Sequence, residues 1–354
     1  MLARAKPVPV AAWSAVAALA VAGLVLRLLA ADGALWTDEA WSALHAAEVQ
    51  TPLGVFLWIN HDNNHHLYSL WLQAIGLQAS PLLARAPAIV AGTLAILVAA
   101  MIGARRSAAA AIVAAALFAV APILVVYGSE ARGYAPMILA ALAMLLLVDR
   151  WLDGDTAEPP TLGLALLAFL GTLSHLTMVA PVGLLTLWVY CVRRAADGPD
   201  AALRSTARVM GPALAAAALV VAGVIAAAQA SPTGMQVGGY APFTAGMFAT
   251  ALDELIATTL GLSLGNVWLG PLLLGLAVAV LALRPPQWIG RRRWLYPLLI
   301  LAVPVAVGLL HVGNSGFARY YLPGALGLLL IASEWLGRGI GTSDRRRWLS
   351  LAAL

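Results

Sequence analysis

Long apolar runs separated by short polar stretches dominate this sequence. Most runs approach the ~20 residues that an α-helix needs to cross a lipid bilayer. They are continuous tracts of Ala, Leu and Val, without the alternation of apolar and polar residues that a membrane β-strand requires. We therefore predict ten transmembrane helices, at about residues 8–31, 84–102, 108–126, 134–149, 161–174, 176–192, 209–229, 267–283, 295–311 and 319–337.

The composition excludes a soluble globular protein. Of the 354 residues, 62% are hydrophobic and 10% are charged, against roughly 25% charged in soluble domains. We predict an all-α, polytopic transmembrane bundle in which residues 1–354 form a single integral-membrane domain. The net charge of +5 reflects loop placement in such a protein, so we expect no nucleic-acid partner.

Arginine placement predicts the orientation of the bundle. With ten crossings and a cytoplasmic N-terminus, 17 of the 21 Lys and Arg residues fall on the cytoplasmic side, as the positive-inside rule requires. An additional crossing at residues 65–80 would invert every later loop. We therefore predict that this segment is a helix that lies in the outer interface or dips back into the membrane from it.

Two long loops lie on the predicted outer face, at residues 32–83 and 230–266, and the second contains a helical-looking stretch at 243–262. Residues 338–354 resemble the start of a further, truncated span.

Four arginines depart from the positive-inside bias and fall on the predicted outer face: Arg27, Arg85, Arg132 and Arg319. Arginines near membrane level are costly to place and usually contact a carboxylate, a cavity or a phosphate. Arg27 lies outside every polar cluster, and we expect it to extend to the interface.

Asp38 and Glu39 follow the first span and are flanked by Trp36 and Trp41. Adjacent acids in this position are typical of two roles. They cap the N-terminus of the next helix, or they supply a general base or metal ligands at the membrane surface.

A second polar cluster, at residues 61–68, contains three histidines and an aspartate. Its spacing matches no closed zinc pattern. Metal binding and hydrogen bonding to a sugar or phosphate both stay open, because His and Asn side chains donate and accept hydrogen bonds.

Two further clusters lie at outer helix ends, at residues 127–134 and 314–323. In the first, Glu130 and Arg132 either pair within a tight turn or face a ligand. In the second, Arg319 either extends to the interface along its aliphatic stem or places a cation beside the acidic loop.

Five elements, in this order, resemble the polyprenol-phosphate-sugar-dependent glycosyltransferases of the GT-C fold, and most of all the bacterial relatives of protein O-mannosyltransferases and aminoarabinose transferases. The elements are W-T-D-E-A at 36–40, N-H-H-L-Y at 64–68, R-A-P-A at 85–88, S-E-A-R-G-Y at 129–134 and R-Y-Y-L-P at 319–323. The likeness covers about residues 1–337. Family members often carry Pro-Pro where this chain has His65 and His66, and most are longer.

The resemblance implies that a sugar moves, with inversion, from a polyprenyl-phosphate-linked donor to a glycan, lipid or protein acceptor on the extracytoplasmic face of the cell membrane. Asp38 matches the family's catalytic carboxylate and would take the acceptor's proton. Glu39 would orient Asp38 or bind the acceptor or a cation, and Glu130 would complete the catalytic group. The implied donor ligands are Arg85, Arg132, Arg319, His65, His66, Tyr68 and Tyr134.

The resemblance establishes no cofactor. A divalent metal ion stays open, with Asp38, Glu39 and His65 as candidate ligands. The alternative function is a polytopic lipid or sugar transporter. Transporters place charged groups near the midplane of repeated halves, whereas the unusual charges of this chain cluster near one surface.

Overall fold

The computed structural model of the protein describes residues 8–263 and 265–340. These residues fold into helices, and the only strand-like pairing among them is an isolated bridge between His61 and Gln236. The α-helices are α1 (Val10–Ala30), α2 (Thr37–Glu48), α3 (Pro52–Leu57), α4 (His66–Ile75), α5 (Pro81–Ala104), α6 (Ala108–Val120), α7 (Pro122–Tyr127), α8 (Tyr134–Leu152), α9 (Thr161–Ser174), α10 (Val179–Asp197), α11 (Pro199–Ala230), α12 (Ala245–Leu260), α13 (Leu269–Leu283), α14 (Leu295–Leu310) and α15 (Leu322–Ile340). Three 3₁₀ segments accompany them, at Leu176–Met178, Gln287–Arg293 and Ala318–Tyr321.

Helices occupy all ten segments that the sequence predicts as spans. Among the described residues, α1, α5, α8, α10 with its preceding 3₁₀ turn, and α11 are long and apolar enough to cross a membrane unaided. Helix α13 and the segment Gln287–Arg293 pass the same test together, bent by 101°, while α6, α9 and α14 are shorter apolar helices. The chain is therefore an α-helical membrane protein, as predicted.

The segment predicted at residues 65–80 contains α4, which has ten residues. At 1.5 Å per residue it is about 15 Å long, too short to cross the bilayer. The predicted helical stretch at 243–262 is α12. The proposed further span falls largely on residues 341–354, which lie outside the described part of the chain.

Helices α5 and α6 pack closely against α1, α8 and α15 at the centre of the bundle. Small side chains make this approach possible, since Ala99, Ala114 and Ala115 are fully buried there. Larger residues such as Phe118 and Leu142 fill the space between these helices. The turns at the N-terminal ends of α2, α4, α8 and α15 supply the four polar clusters found by sequence.

Arg27 is fully buried in the bundle, which corrects the expectation that it extends to the interface. Pro122 has no N–H, so the carbonyl of Phe118 loses its usual helical donor at the break between α6 and α7. Arg27 Nη2 donates to that carbonyl at 3.1 Å and Nη1 donates to the carbonyl of Ala119 at 3.3 Å. Gly92 and Gly128 leave room for the guanidinium, because a Cβ at either position would lie within 2.7 Å of Arg27 Nε.

An extended segment of the second long loop, residues 236–241, joins two other loops. At one end, the N–H of Gln236 donates to the carbonyl of Asn60, and the N–H of Asp62 donates to the carbonyl of Gln236, at 2.7 and 2.9 Å. At the other end, the N–H of Ala241 donates to Asn314 Oδ1 at 2.6 Å. The segment therefore fastens the first long loop to the turn before α15.

Candidate functional site

The two adjacent carboxylates face different surroundings. Asp38 and Glu39 lie in the first turn of α2, where successive side chains are 100° apart around the helix axis. The side chain of Asp38 is 28% exposed, whereas that of Glu39 is fully buried. Only Asp38 is therefore accessible to a substrate.

Glu39 and Arg85 form a buried ion pair with two parallel hydrogen bonds. Arg85 Nη2 donates to Glu39 Oε2 at 2.6 Å and Nε donates to Oε1 at 3.0 Å. The remaining N–H groups of Arg85 donate to the carbonyls of Ala31, Gly33 and Ala34. All five guanidinium donors are thus engaged, and this geometry does not support the prediction that Arg85 binds a donor phosphate.

Glu39 also fastens the loop that carries Glu130 and Arg132. Its Oε1 accepts a hydrogen bond from the N–H of Ala131, the residue between them. Its Oε2 accepts from the N–H of Trp36, the N-cap residue of α2, at 3.0 Å. Glu39 therefore joins α2, α5 and the 127–134 turn into one unit.

Arg132 is the cation beside Asp38. Its Nη1 lies 2.9 Å from Asp38 Oδ2, and its Nη2 donates to Asn63 Oδ1 at 2.8 Å. The guanidinium carbon lies 5.6 Å from the ring centre of Trp36 and 5.1 Å from that of Tyr134. Such contacts stabilise a cation held away from water.

Three rings stack behind Arg132. The centres of His65 and His175 are 4.6 Å apart, and those of Tyr134 and His175 are 4.1 Å apart. Burial, with His175 and Arg132 nearby, holds the pKa of His65 well below its usual value, and burial lowers the pKa of His175 to about 3. Both rings are therefore neutral near pH 7, and His65 Nε2 accepts a hydrogen bond from Arg132 Nε at 3.4 Å.

Glu130 is a largely buried carboxyl beside this group. It makes no ion pair with Arg132 among the described contacts, so the tight-turn pairing considered from sequence does not form. Its Oε2 has no hydrogen-bond partner among the described residues. Burial raises the pKa of Glu130 to about 7, against the opposing effect of the Arg132 charge.

Arg319 lies in the 3₁₀ turn before α15, with its guanidinium carbon 4.2 Å from the ring centre of Phe317 and 5.5 Å from that of Tyr320. It lines a narrow, mainly apolar cleft between α8, α10 and α15, together with Met137, Pro181 and other apolar residues. A cation thus stands at one wall of an apolar cleft.

Two predicted ligands lie apart from Asp38. The hydroxyl of Tyr68 donates to the carbonyl of Ala84 at 2.9 Å, and the side chain is buried between α4 and α5. His66 stacks on Phe56 with ring centres 5.2 Å apart, and burial lowers its pKa to about 4. The Tyr68 side chain therefore packs between the first long loop and α5, whereas the His66 ring packs on Phe56 within that loop.

The three candidate metal ligands are not brought together. Glu39 is committed to Arg85 and Ala131, and His65 faces Arg132 and His175. In residues 8–263 and 265–340, no three His, Cys, Asp or Glu side chains form a metal-binding group.

Asn63 and His175 belong to the site but were not among the predicted site residues. Asn63 accepts from Arg132 and donates through Nδ2 to the carbonyl of Asp38 at 2.7 Å and to Ser42 Oγ at 2.9 Å. Asn63 lies in the polar cluster already noticed at 61–68. His175 is a polar residue between two short apolar runs, and that interruption is the signal that marks it.

No protein-family profile matches the chain, and no curated protein matches it by sequence. Its structure is similar to the crystal structure of the Archaeoglobus fulgidus oligosaccharyltransferase tethered with an acceptor peptide containing the NVT sequon via a disulfide bond, with a TM-score of 0.54 at 12% identity. The match covers 96% of this chain and 53% of the oligosaccharyltransferase, so the chain spans about half of that protein's length. The likeness establishes a GT-C-type fold, which confirms the fold predicted from sequence.

Proposed function

We propose that this protein is a membrane glycosyltransferase that moves a sugar from a polyprenyl-phosphate-linked donor to an acceptor on the extracytoplasmic side. The observation that carries the proposal is the pairing of Asp38 with Arg132, at 2.9 Å, on a GT-C-type fold. A partly exposed carboxylate beside a buried guanidinium supplies a base and an anion ligand within one small site.

Asp38 is the proposed general base. The acceptor hydroxyl or amine attacks the anomeric carbon, and its proton passes to Asp38 Oδ2. The bond from the anomeric carbon to the phosphate oxygen breaks, its electron pair stays on that oxygen, and polyprenyl phosphate leaves. Attack opposite the leaving group inverts the anomeric centre. Phosphate is a good leaving group, so a second carboxylic acid of the glycosidase type is not required.

Arg132 and Arg319 are the proposed phosphate ligands. Arg132 holds its orientation through Asn63 and His65, so a phosphate oxygen can replace Asp38 Oδ2 as the partner of Nη1 when the Asp38 side chain rotates away. Such a move would free the carboxylate as the donor binds. Arg319 lies at one wall of the apolar cleft described above and so places a cation beside apolar side chains. A phosphate attached to an isoprenoid chain likewise joins an anion to an apolar tail.

Glu39 and Arg85 position the site in this proposal and do not touch substrate. Tyr134 is buried between Arg132 and His175 in this arrangement and supports the Arg132 guanidinium. The oligosaccharyltransferase likeness supports glycosyl transfer with a membrane-bound donor.

The direct test is transfer by the purified protein in detergent, with a radiolabelled sugar on polyprenyl phosphate and an extract of envelope lipids and glycans as acceptor. We expect label to appear in the acceptor fraction and free polyprenyl phosphate to accumulate in equal amount. The alternative function, a lipid or sugar transporter, would be supported if the protein binds the donor, forms neither product and moves the donor across the membrane of sealed vesicles.

A further inference from the structure

The end of the bundle opposite Asp38 carries a second concentration of charge, centred on Arg292. Arg292 is fully buried and donates to both carboxylate oxygens of Asp149, at 3.0 and 2.6 Å, and to Glu334. Arg105 pairs with Asp149 and, at 2.7 Å, with Asp153. The acids on this side of the bundle are therefore largely neutralised by buried or half-buried arginines.

The Arg292 network fixes the 3₁₀ segment Gln287–Arg293 on the bundle. Trp188 Nε1 donates to the carbonyl of Arg291, and Arg106 Nη2 donates to the carbonyl of Ile289, both at 3.1 Å. Helices α8, α10 and α15 thus all hold a segment that lies 101° from the direction of α13. The side chains on the outer side of the segment Gln287–Arg293 are therefore carried by a backbone that is already fixed before any ligand binds.

Three exposed arginines around this segment have no acidic partner among the described residues: Arg284, Arg293 and Arg338. Two of them lie over tryptophan rings. The guanidinium carbon of Arg293 is 5.1 Å from the ring centre of Trp294, and that of Arg338 is 5.2 Å from the ring centre of Trp288. We call these five residues the basic corner.

Exposed apolar side chains border the basic corner directly. Leu283, which precedes Arg284, is 82% exposed, and Trp335, one turn before Arg338, is 62% exposed. Apolar side chains of this exposure at the end of a membrane helix face acyl chains. Tryptophan rings occupy the headgroup level of a bilayer, and guanidinium groups bind phosphate with two parallel hydrogen bonds.

We propose that the basic corner is a binding site for the headgroups of anionic phospholipids in the adjacent leaflet. In the predicted orientation this is the cytoplasmic leaflet. Rigid support lowers the entropy lost when a headgroup binds, and each arginine near an anionic membrane surface strengthens binding by about fivefold. The proposal is independent of the chemistry at Asp38.

The test measures binding of a fluorescent short-chain phosphatidylglycerol to the purified protein in detergent, with the phosphatidylcholine analogue as the zwitterionic comparison. The Arg293→Gln/Arg338→Gln double variant is compared with Arg194→Gln/Arg204→Gln, which removes two exposed charges from the same end of the bundle with no tryptophan contact. We expect the wild type to bind phosphatidylglycerol more tightly than phosphatidylcholine. The affinity for phosphatidylglycerol should fall by roughly 25-fold in Arg293→Gln/Arg338→Gln. It should fall by less than about threefold in Arg194→Gln/Arg204→Gln, because screened charges act over about one Debye length.

An equal loss of phosphatidylglycerol affinity in both double variants would overturn the proposal, because it would show that lipid binding depends on overall charge and not on these two arginines. So would equal binding of the two lipids by the wild type, or unchanged binding in the Arg293→Gln/Arg338→Gln variant. Thermal unfolding of each variant in phosphatidylcholine nanodiscs verifies that the bundle is intact.

Discussion

Glu39 and Arg85 bind each other through two buried hydrogen bonds of 2.6 and 3.0 Å, while the neighbouring Asp38 stays partly exposed beside Arg132. The helical rotation between positions 38 and 39 divides two chemically similar side chains into a structural acid and an accessible one. This division is the basis for assigning them different roles.

Replacing Glu39 by Gln should destabilise the protein. The change leaves the Arg85 guanidinium buried without its counter-charge, and breaking a buried ion pair costs about 3–5 kcal/mol. Thermal unfolding in detergent measures the loss, with Glu48→Gln, on the exposed end of the same helix, as the control. A Glu39→Gln protein as stable as the control would contradict the structural assignment.

Replacing Arg27 by Lys should also destabilise the protein. An ammonium group cannot reach the carbonyls of Phe118 and Ala119 together in the geometry that the guanidinium uses, and each buried polar group left unpaired costs about 1–3 kcal/mol. Arg204→Lys, at an exposed position on α11, is the matched control. If both variants unfold at the same temperature, Arg27 does not stabilise the break at Pro122.

Replacing Arg132 by Lys should lower the transfer rate by about 10²–10³, the usual cost of one pre-organised donor at a developing charge. Lysine cannot contact Asp38, Asn63 and a phosphate in the directions of the guanidinium. The experiment is a set of initial rates against donor concentration, with Arg204→Lys as the control. Identical donor curves for wild type and Arg132→Lys would remove Arg132 from the phosphate site.

Glu130 should make stability depend on pH. Because its pKa is raised to about 7, the folded protein binds this proton more tightly than the unfolded chain does between about pH 4.5 and 7. The stabilising contribution of protonated Glu130 is therefore present below about pH 4.5 and is lost as the pH rises through 7. The stability of wild type relative to Glu130→Gln should fall across this window by up to about 3 kcal/mol. A difference that is constant with pH would contradict the burial of an unpaired carboxyl.

Hydrophobic pattern was sufficient to predict the helical bundle, because each membrane span must be apolar over its whole length. It also located the polar clusters at one end, and the structure brings Asp38, His65, Arg132 and Tyr134 from three separate clusters to one place.

Sequence alone did not separate the structural arginines from the accessible ones. Arg27, Arg85 and Arg292 are buried by contacts with residues at least 42 positions away. A local pattern shows that a charge near a membrane helix is costly but does not show which distant carboxylate or carbonyl offsets that cost. Asn63 was not predicted as a site residue for the same reason, because its role depends on a contact with Arg132 from another loop.

The single-turnover rate of purified Asp38→Asn with donor bound measures whether Asp38 is the base of a glycosyl transfer. Asp32→Asn, an exposed acid on the same loop, is the matched control. We predict that Asp38→Asn retains its fold and binds donor but transfers sugar about 10²–10⁴ times more slowly, while Asp32→Asn transfers at the wild-type rate. Transfer by Asp38→Asn at the wild-type rate would show that Asp38 is not the base.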